Sequence, residues 1–268
     1  MSVPNSVVIT GASSGLGRAL AAEYAQRGAT LALIARRGDL LEALAKSLPT
    51  RSYCYPLDVR DAVALSAAAE DFVAREGCPD IVIANAGVSA GTSTAEPHDS
   101  AVFEEILATN LTGMMLTFRP FIDLMRSARR GTLAGIASVA GFRGLPGASA
   151  YCASKSAAIT YLESLRLELR NDGVRVVTVC PGYVDTPMTV GNPYRMPFLM
   201  HADHAAADIA GAIARGKRFH VLPWQMALAA WLLRHLPRRV YDALFTGAPR
   251  KLRRGDGGRA HPAERDRV

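Results

Sequence analysis

The sequence has little that would build a metal centre or a disulfide framework. Among its 268 residues there are four cysteines, and no two of them form a C-x-x-C motif or join histidines at metal-ligand spacing. Cys54 and Cys180 lie in apolar segments and are expected to be buried thiols. Cys152 is adjacent to Tyr151 in the chain, and a packing role is expected for it. This cysteine usage is typical of a reducing compartment, and no metal is expected.

Long apolar runs are also missing. No stretch reaches the roughly 18 apolar residues that a membrane-spanning helix needs, so none is predicted. The first apolar segment begins by about residue 6, which leaves no room for a signal peptide ahead of it. The cytoplasm is therefore the expected location, with peripheral membrane contact as the alternative.

Positive charge is present but unevenly placed. The formal net charge is +7, and residues 234–268 alone carry ten Lys and Arg against four Asp and Glu. No aromatic residue interleaves with this basic tail after Phe245, so a platform for stacking nucleic-acid bases is missing. The sequence therefore predicts no nucleic-acid partner, and the polar, Gly- and Arg-rich segment 250–268 is expected to be disordered.

Apolar segments of strand length alternate with helical segments along the chain. Strands are predicted at residues 6–9, 30–35, 51–56, 80–84, 133–137, 174–180 and 219–222. Helices are predicted at residues 18–27, 39–48, 61–75, 103–129 (with a kink at Pro120) and 150–172. Such alternation favours an α/β fold with a doubly wound parallel sheet of about seven strands, flanked by helices. Residues 1–249 are expected to form a single domain, of which 223–246 are a helical extension.

A glycine-rich turn follows the first predicted strand. Residues 10–17 read Thr-Gly-Ala-Ser-Ser-Gly-Leu-Gly, with the spacing G-x-x-x-G-x-G, and the first helix comes directly after them. Small residues at a strand–helix junction let phosphates approach free backbone N–H groups. The sequence therefore predicts a pyrophosphate site there, and its residues are Gly11, Ser13, Ser14, Gly15, Leu16 and Gly17.

Further polar and turn residues follow other predicted strands. They are Asn85, Ala86 and Gly87 after the strand at 80–84, Ser138 after the strand at 133–137, and Pro181 and Gly182 after the strand at 174–180. Open α/β sheets bind ligands at the carboxyl ends of their strands. These residues are therefore candidates for one shared site.

Tyr151 and Lys155 lie four residues apart in a predicted helix and so share one face. An ammonium near a phenol stabilises the phenolate and is expected to lower the tyrosine pKa from about 10. Such a phenol can give a proton to a carbonyl oxygen or take one from an alcohol. The pair therefore predicts an acid–base centre.

With these motifs in the same order and at the same spacing, the chain resembles the short-chain dehydrogenases/reductases of the compact single-domain type over about residues 5–222. The resemblance implies a Rossmann-type fold and a catalytic tetrad of Asn110, Ser138, Tyr151 and Lys155. It also implies that Lys155 binds the nicotinamide ribose and that a water held near Asn110 relays protons. By the same resemblance, the adenine lies near Asp58 and Val59, its ribose near 85–87, and the nicotinamide near Val184 and Thr186.

The residues after the second predicted strand bear on the choice of cofactor. That strand ends at Ala35-Arg36-Arg37, and no carboxylate is available there for a ribose 2′-hydroxyl, since Asp39 comes too late. Guanidinium groups can bind a 2′-phosphate through bidentate hydrogen bonds. NADP(H) is therefore the expected cofactor, with Arg36 as the main ligand and Arg37 and Ser13 as helpers; NAD(H) is the alternative.

The substrate side is less defined. Methionines, prolines and aromatics between residues 187 and 200, with Phe142, Leu145 and Pro146, favour an apolar substrate. The apolar helix predicted at 224–236 departs from the compact family pattern. Packing in the core or in a homodimer or homotetramer is the first interpretation, and peripheral membrane contact is the second.

The predicted function is therefore NADP(H)-dependent interconversion of a ketone or aldehyde and an alcohol, with NAD(P)+ accepting the hydride from CH–OH groups. Alternatives are an NAD-dependent alcohol dehydrogenase, a sugar-nucleotide epimerase, and a dinucleotide-binding redox sensor or membrane-associated adaptor. The epimerase reading is disfavoured because those proteins carry a larger C-terminal substrate domain. The sensor reading is disfavoured because Tyr151 and Lys155 are both present.

Overall fold

A parallel sheet of seven strands runs through the centre of the computed structural model, which describes residues 4–190 and 192–254. Its strands are β1 (Ser6–Thr10), β2 (Thr30–Ala35), β3 (Ser52–Pro56), β4 (Ile81–Ala84), β5 (Thr132–Ile136), β6 (Arg175–Pro181) and β9 (Phe219–Leu222). Two short strands, β7 (Val184–Asp185) and β8 (Met200–His201), pair separately. The order β3-β2-β1-β4-β5-β6-β9 reverses direction between β1 and β4, which confirms the doubly wound arrangement.

Helices cover both faces of the sheet. They are α1 (Gly15–Gln26), α2 (Gly38–Ser47), α3 (Ala62–Glu76), α4 (Asp99–Leu107), α5 (Gly113–Ala128), α6 (Ser149–Glu168), α7 (Ala202–Ala214), α8 (Trp224–His235) and α9 (Arg238–Phe245). Parallel strands need such crossover helices, and they bury both faces of the sheet. The predicted strands and helices are confirmed to within a few residues at most of their ends.

The core is divided between the two faces by the alternation of strand side chains. Along β1, Val7 and Ile9 point into a cluster with α1 and α7, whereas Val8 points into a second cluster. That second cluster contains Phe72 of α3 and Phe118 of α5, both fully buried. Burial on both sides fixes the register of β1, because a slip of one residue would exchange the two faces.

The helix predicted at 103–129 starts earlier and contains a different irregularity. It begins at Asp99, and residues 108–112 form a π-helical turn between α4 and α5. Pro120 lies inside α5, so the change in hydrogen-bonding pattern precedes the proline that the sequence indicated as a kink. A π turn inserts one extra residue and redirects the side chains around it, and such turns are frequent at functional sites.

Sequence analysis assigned no element to α7, although Ala205, Ile209 and Ile213 recur every four residues and are buried against the sheet. The helix predicted at 224–236 is confirmed as α8. Large apolar side chains on one face of α8 point outward, because Trp224 is 71% and Trp231 59% exposed, whereas Ala230 is buried and Met226 packs beside Gly182. One face of α8 therefore packs on the domain, and packing of its exposed face in a homodimer or homotetramer stays a prediction.

The segment after α9 also differs from the expectation. Disorder was expected from residue 250 onward, but the backbone oxygen of Leu252 accepts a hydrogen bond from the Gly91 N–H at 2.9 Å. Arg253 forms an ion pair with Glu96 at 3.2 Å. Residues 250–254 therefore lie against the domain, and the rest of the predicted tail, 255–268, lies outside the described residues.

Candidate active site

The glycine-rich turn leaves the N-terminus of α1 open. Gly11 has a φ of +70°, and a Cβ atom there would lie 2.8 Å from the Ala86 Cα. A Cβ at Gly17 would overlap the Gly11 carbonyl oxygen and approach the Asn85 Nδ2 to 2.5 Å. Both positions are therefore restricted to glycine by close backbone approach.

The first turn of α1 offers unsatisfied backbone N–H groups. Ser14 is its N-cap residue, and within the described chain no side chain caps the helix and no acidic residue lies in its first turn. The exposed N–H groups and the positive end of the helix dipole suit a phosphate. The turn therefore fits the pyrophosphate of a dinucleotide.

Asn85 ties the end of β4 to this turn. Its Nδ2 donates to the Thr10 carbonyl oxygen at 3.0 Å, while the Thr10 hydroxyl accepts from the backbone N–H of Asn85 at 3.1 Å and of Ala86 at 3.2 Å. These bonds hold the ends of β1 and β4 together where the strand order reverses. The predicted residues Asn85, Ala86 and Gly87 thus meet the glycine-rich turn.

Ser138 and Tyr151 come together beyond β5. Ser138 has an extended backbone, and its hydroxyl accepts from the Ala140 N–H at 3.1 Å. Burial raises the pKa of Tyr151 to about 12, and a hydrogen bond from Ser138 acts in the opposite direction. The phenol is therefore protonated at neutral pH.

Lys155 lies beneath this pair. Its Nζ donates to the Ile136 carbonyl oxygen at 2.8 Å and is 5.8 Å from the centroid of the Tyr151 ring. Burial lowers the pKa of Lys155 to about 8, since the interior disfavours the charged ammonium. The expected lowering of the Tyr151 pKa does not occur in this structure, because burial of the phenol outweighs its neighbours.

Asn110 holds the loop after β4 rather than facing the groove. It is fully buried in the π turn; its Oδ1 accepts from the Val88 N–H at 2.8 Å, and its Nδ2 donates to the Val88 carbonyl oxygen at 3.0 Å. The same Nδ2 reaches the Ser154 hydroxyl at 3.0 Å. Asn110 therefore joins the π turn, the loop after β4 and the helix that carries Tyr151 and Lys155.

One groove of about 410 Å³ collects the other predicted site residues. A volume of this size is typical of small-molecule sites. The predicted residues that line it are Gly11, Ser13, Ser14, Gly15, Leu16, Gly17, Arg36, Arg37, Asp58, Val59, Asn85, Ala86, Gly87, Ser138, Tyr151, Lys155, Pro181, Gly182, Val184 and Thr186. The groove thus runs from the arginines after β2, past the glycine-rich turn, to Tyr151.

The two arginines after β2 are both exposed at the far end of the groove. Arg37 donates to the hydroxyls of Ser13 at 3.1 Å and Ser14 at 2.9 Å. Arg60, which sequence analysis missed, forms an ion pair with Asp58 at 2.6 Å and holds the pKa of that carboxyl below its usual range. Arg36 therefore faces a carboxylate that is already neutralised by another cation.

Met188, one of the methionines expected on the substrate side, lines the groove, and so do Val88, Thr109 and Thr189, to which the sequence assigned no role of their own. Thr189 had a detectable signal, since it follows Thr186 by three residues. Its hydroxyl accepts from the Thr186 N–H at 3.1 Å and donates to the Val184 carbonyl oxygen at 2.7 Å. These bonds shape the turn that follows β7.

Comparison with known proteins agrees with this geometry. A family model described as short chain dehydrogenase matches residues 5–194. An "Uncharacterized oxidoreductase" of Myxococcus xanthus (strain DK1622) is 39% identical over 249 residues, which are 92% of this chain and 96% of that protein. The "2-dehydro-3-deoxy-L-rhamnonate dehydrogenase (NAD(+))" of Sphingomonas sp. (strain SKA58) is 34% identical over 181 residues, which are 68% of this chain and 72% of that protein.

A solved structure has the same fold. It is a "Short chain dehydrogenase from Burkholderia cenocepacia J2315 in complex with NADP", with a TM-score of 0.79 and 25% sequence identity. The superposition covers 91% of this chain and 99% of that one. No helix in the described part of this chain is long and apolar enough to cross a membrane.

Proposed function

Since this chain belongs to the short-chain dehydrogenase/reductase family, whose members are oxidoreductases acting on CH–OH groups, we propose that it interconverts a carbonyl compound and an alcohol with NADP(H). The observation that carries the proposal is the single groove that joins the open N-terminus of α1 to Tyr151. A dinucleotide lying along it would bring its reactive end to the phenol.

A dinucleotide bound in the groove would supply or accept the hydride in this reaction. Tyr151 donates its proton to the carbonyl oxygen, which is possible because its raised pKa of about 12 keeps the phenol protonated. The Ser138 hydroxyl holds the same oxygen in hydrogen-bonding range and orients the carbonyl group. In the direction of oxidation, Tyr151 in its phenolate form accepts the hydroxyl proton of the alcohol, and Ser138 positions the alcohol oxygen.

Lys155 has a supporting role in the proposal. With a pKa of about 8, its ammonium is charged below that pH and can bind ribose hydroxyls at the end of the groove. Because Gly87 lacks a side chain, the Lys155 Nζ has open space beside it: a Cβ at Gly87 would lie 3.7 Å away. A charged Lys155 also favours the phenolate that Tyr151 becomes after proton transfer.

Asn110 is proposed as a positioning residue. Its amide is fully engaged with Val88 and Ser154, so it fixes the π turn relative to the helix of Tyr151 and Lys155. The relay water suggested by the family resemblance would then lie on a backbone carbonyl freed by the π turn. That step remains part of the proposal.

The cofactor preference rests on Arg36. It is exposed at the end of the groove, next to the Asp58–Arg60 pair, while Arg37 is bonded to two serine hydroxyls. This excess of guanidinium groups favours a 2′-phosphate. The Burkholderia structure carries NADP, whereas the Sphingomonas relative is named for NAD(+), so NAD(H) is the competing cofactor.

Replacing Arg36 with Ala is expected to weaken NADPH binding by roughly 10- to 100-fold, since one charge-assisted bond contributes about 1.5–3 kcal/mol. NADH affinity should change less than about threefold, because NADH has no 2′-phosphate. Direct titration of both dinucleotides measures the effect. Arg170→Ala, an exposed arginine after α6, serves as the control. Equal losses for NADPH and NADH would reject the assignment.

We propose that the substrate is an apolar carbonyl compound that binds beside residues 186–190 and 192–200. Met188 lines the groove, and Tyr183 and Tyr194 pack against each other with ring centroids 6.3 Å apart. Phe142 and Phe219, which are not among the described lining residues of the groove, have ring centroids 6.1 Å apart. Apolar walls with few polar groups are typical of small-molecule sites.

A homodimer or homotetramer is the proposed assembly, with α8 in the contact. Its outward face carries Trp224, Leu228, Trp231 and Leu232, which are 56–71% exposed. A contiguous apolar surface of this kind marks an interaction site. Oligomers are typical of the family, which favours a second copy of the chain over a membrane surface.

Replacing both Leu228 and Trp231 with Glu should convert an oligomer into a monomer, because two charges cannot be buried in an apolar contact. Size-exclusion chromatography with light scattering measures the mass. Leu167→Glu, a similarly exposed residue on α6, is the matched control. A wild-type monomer that floats with anionic lipid vesicles would instead support the membrane reading.

A further inference from the structure

The segment that follows α9 crosses the loops next to the active site. Besides the bond between Leu252 and Gly91, Arg253 forms ion pairs with Glu96 at 3.2 Å and with Asp99 at 3.7 Å. Arg254 pairs with Glu105 of α4. Three successive residues are thus fixed to the region between β4 and the π turn.

Two glycines make room for this segment. A Cβ at Gly91 would overlap the Lys251 carbonyl oxygen and lie 2.8 Å from the Leu252 carbonyl carbon. A Cβ at Gly147 would lie 2.8 Å from the Arg250 Cβ. Gly147 is four residues before Tyr151, so the backbone of 250–252 passes directly over the start of α6.

Lys251 is the residue that this path brings to the phenol. Its Nζ lies 5.9 Å from the centroid of the Tyr151 ring, compared with 5.8 Å for the Lys155 Nζ. Lys155 lines the groove that holds the glycine-rich turn, whereas Lys251 is not among the described residues that line it. Lys251 therefore approaches Tyr151 from outside the described lining of the dinucleotide groove.

No carboxylate among the described residues pairs with the ammonium of Lys251. Apart from the Tyr151 ring, it has no hydrogen-bond or ion-pair partner among residues 4–190 and 192–254. Its neighbours Arg253 and Arg254 are both paired with carboxylates. Lys251 is half-buried, and this burial lowers its pKa. A partly desolvated cation without a partner is unfavourable, and an anion that binds beside it removes that cost.

We infer that Lys251 binds the anionic group of the substrate, and that the substrate is an oxo acid whose carboxylate meets Lys251 while its carbonyl meets Tyr151 and Ser138. An ammonium–carboxylate bond spans about 2.8 Å. The Lys251 Nζ lies 5.9 Å from the centroid of the Tyr151 ring. A carboxylate bound to Lys251 and a carbonyl bound to the Tyr151 hydroxyl would therefore be separated by only a few bonds in the substrate. The inference rests on the proposed function and narrows its substrate to an apolar compound with one carboxylate.

Specificity at such a site comes from the carboxylate, since a charged substrate group gains a charge-assisted bond that a neutral ester cannot make. Benzoylformate and 3-benzoylpropionate, each compared with its methyl ester, test this at two carbonyl–carboxylate separations. Binding to the wild-type protein saturated with NADP+, which cannot reduce the ligands, is measured by calorimetry, and kcat/KM is measured for reduction with NADPH.

The wild-type protein is expected to bind at least one acid about tenfold or more tightly than its ester. Lys251→Met should remove that difference by weakening the acid alone, and Lys251→Arg should restore most of it. The loss should appear in KM rather than in kcat. Arg250→Met, on the neighbouring exposed residue, should bind both ligands as the wild type does.

The inference is overturned if the wild-type protein binds neither acid better than its ester, or if Lys251→Met weakens acid and ester equally. Titration of the same variants with NADPH separates this failure from that of the proposed function. A protein that binds NADPH and reduces the esters through Tyr151, but ignores the carboxylate, would retain the reductase function and lose only the role of Lys251.

Discussion

Replacement of Tyr151 by Phe should lower carbonyl reduction by roughly 10²- to 10⁴-fold, the usual contribution of a positioned general acid. The substitution removes the one hydroxyl that the proposed mechanism uses as proton donor and leaves the aromatic ring in place. NADPH affinity should change by less than about threefold, because the glycine-rich turn and the arginines after β2 are untouched. Steady-state kinetics and dinucleotide titration measure the two quantities separately.

Tyr161→Phe provides the matched control. Tyr161 lies on the same helix, ten residues further along, and packs against the core beneath the sheet. Loss of its hydroxyl should leave turnover unchanged. Retained turnover in Tyr151→Phe would reject the acid–base role. Equal losses in the two variants would show that the helix as a whole, rather than the Tyr151 phenol, is sensitive to the substitution.

Replacement of Gly17 by Ala should reduce dinucleotide affinity by about two orders of magnitude. The new methyl group would overlap the Gly11 carbonyl oxygen and crowd the Asn85 Nδ2 at 2.5 Å. Neither backbone nor the hydrogen-bonded amide can yield without moving the turn, and overpacking of this kind costs about 1–3 kcal/mol before any phosphate contact is lost. Titration with NADPH and thermal unfolding measure both consequences.

Gly247→Ala is the control for this substitution. Gly247 follows α9, and an added Cβ there meets nothing within 4 Å. Its affinity for NADPH and its unfolding temperature should match those of the wild type. If Gly17→Ala bound NADPH as well as Gly247→Ala did, the turn would not be the phosphate site, and the orientation of the dinucleotide along the groove would have to be reconsidered.

Much of the fold could be predicted because its signals are local. β2 and β9 occupy the residues that the sequence indicated, since each is an apolar run of strand length between turn residues. The order of the strands also limits where ligands bind, so residues after β1, β4, β5 and β6 could be grouped before their distances were known. Local propensity and topology thus agree along most of the chain.

The parts that could not be predicted depend on contacts between distant segments. The bonds of Asn110 to Val88 require the π turn, which has no simple sequence signal. The direction of the Tyr151 pKa shift depends on how deeply the phenol is buried, which the spacing to Lys155 does not reveal. The path of 250–254 depends on the space left by Gly91 and Gly147, each of which precedes it by more than 100 residues.

The outward face of α8 illustrates a different limit. Its apolar spacing was recognisable, but the spacing does not say whether an apolar face meets the protein's own core or another surface. Only the position of α8 relative to the sheet decides this. Because Trp224 and Trp231 are exposed, α8 is the helix at which we propose that a second copy of the chain binds.

The central claim is that the groove holds NADP(H), and titration of the wild-type protein with NADPH and NADH, followed by nicotinamide fluorescence, tests it most directly. The account predicts that NADPH binds about tenfold or more tightly than NADH, because the guanidinium groups after β2 meet the 2′-phosphate. Tighter binding of NADH would contradict the role of Arg36. Binding of neither dinucleotide would contradict the proposed function as a whole.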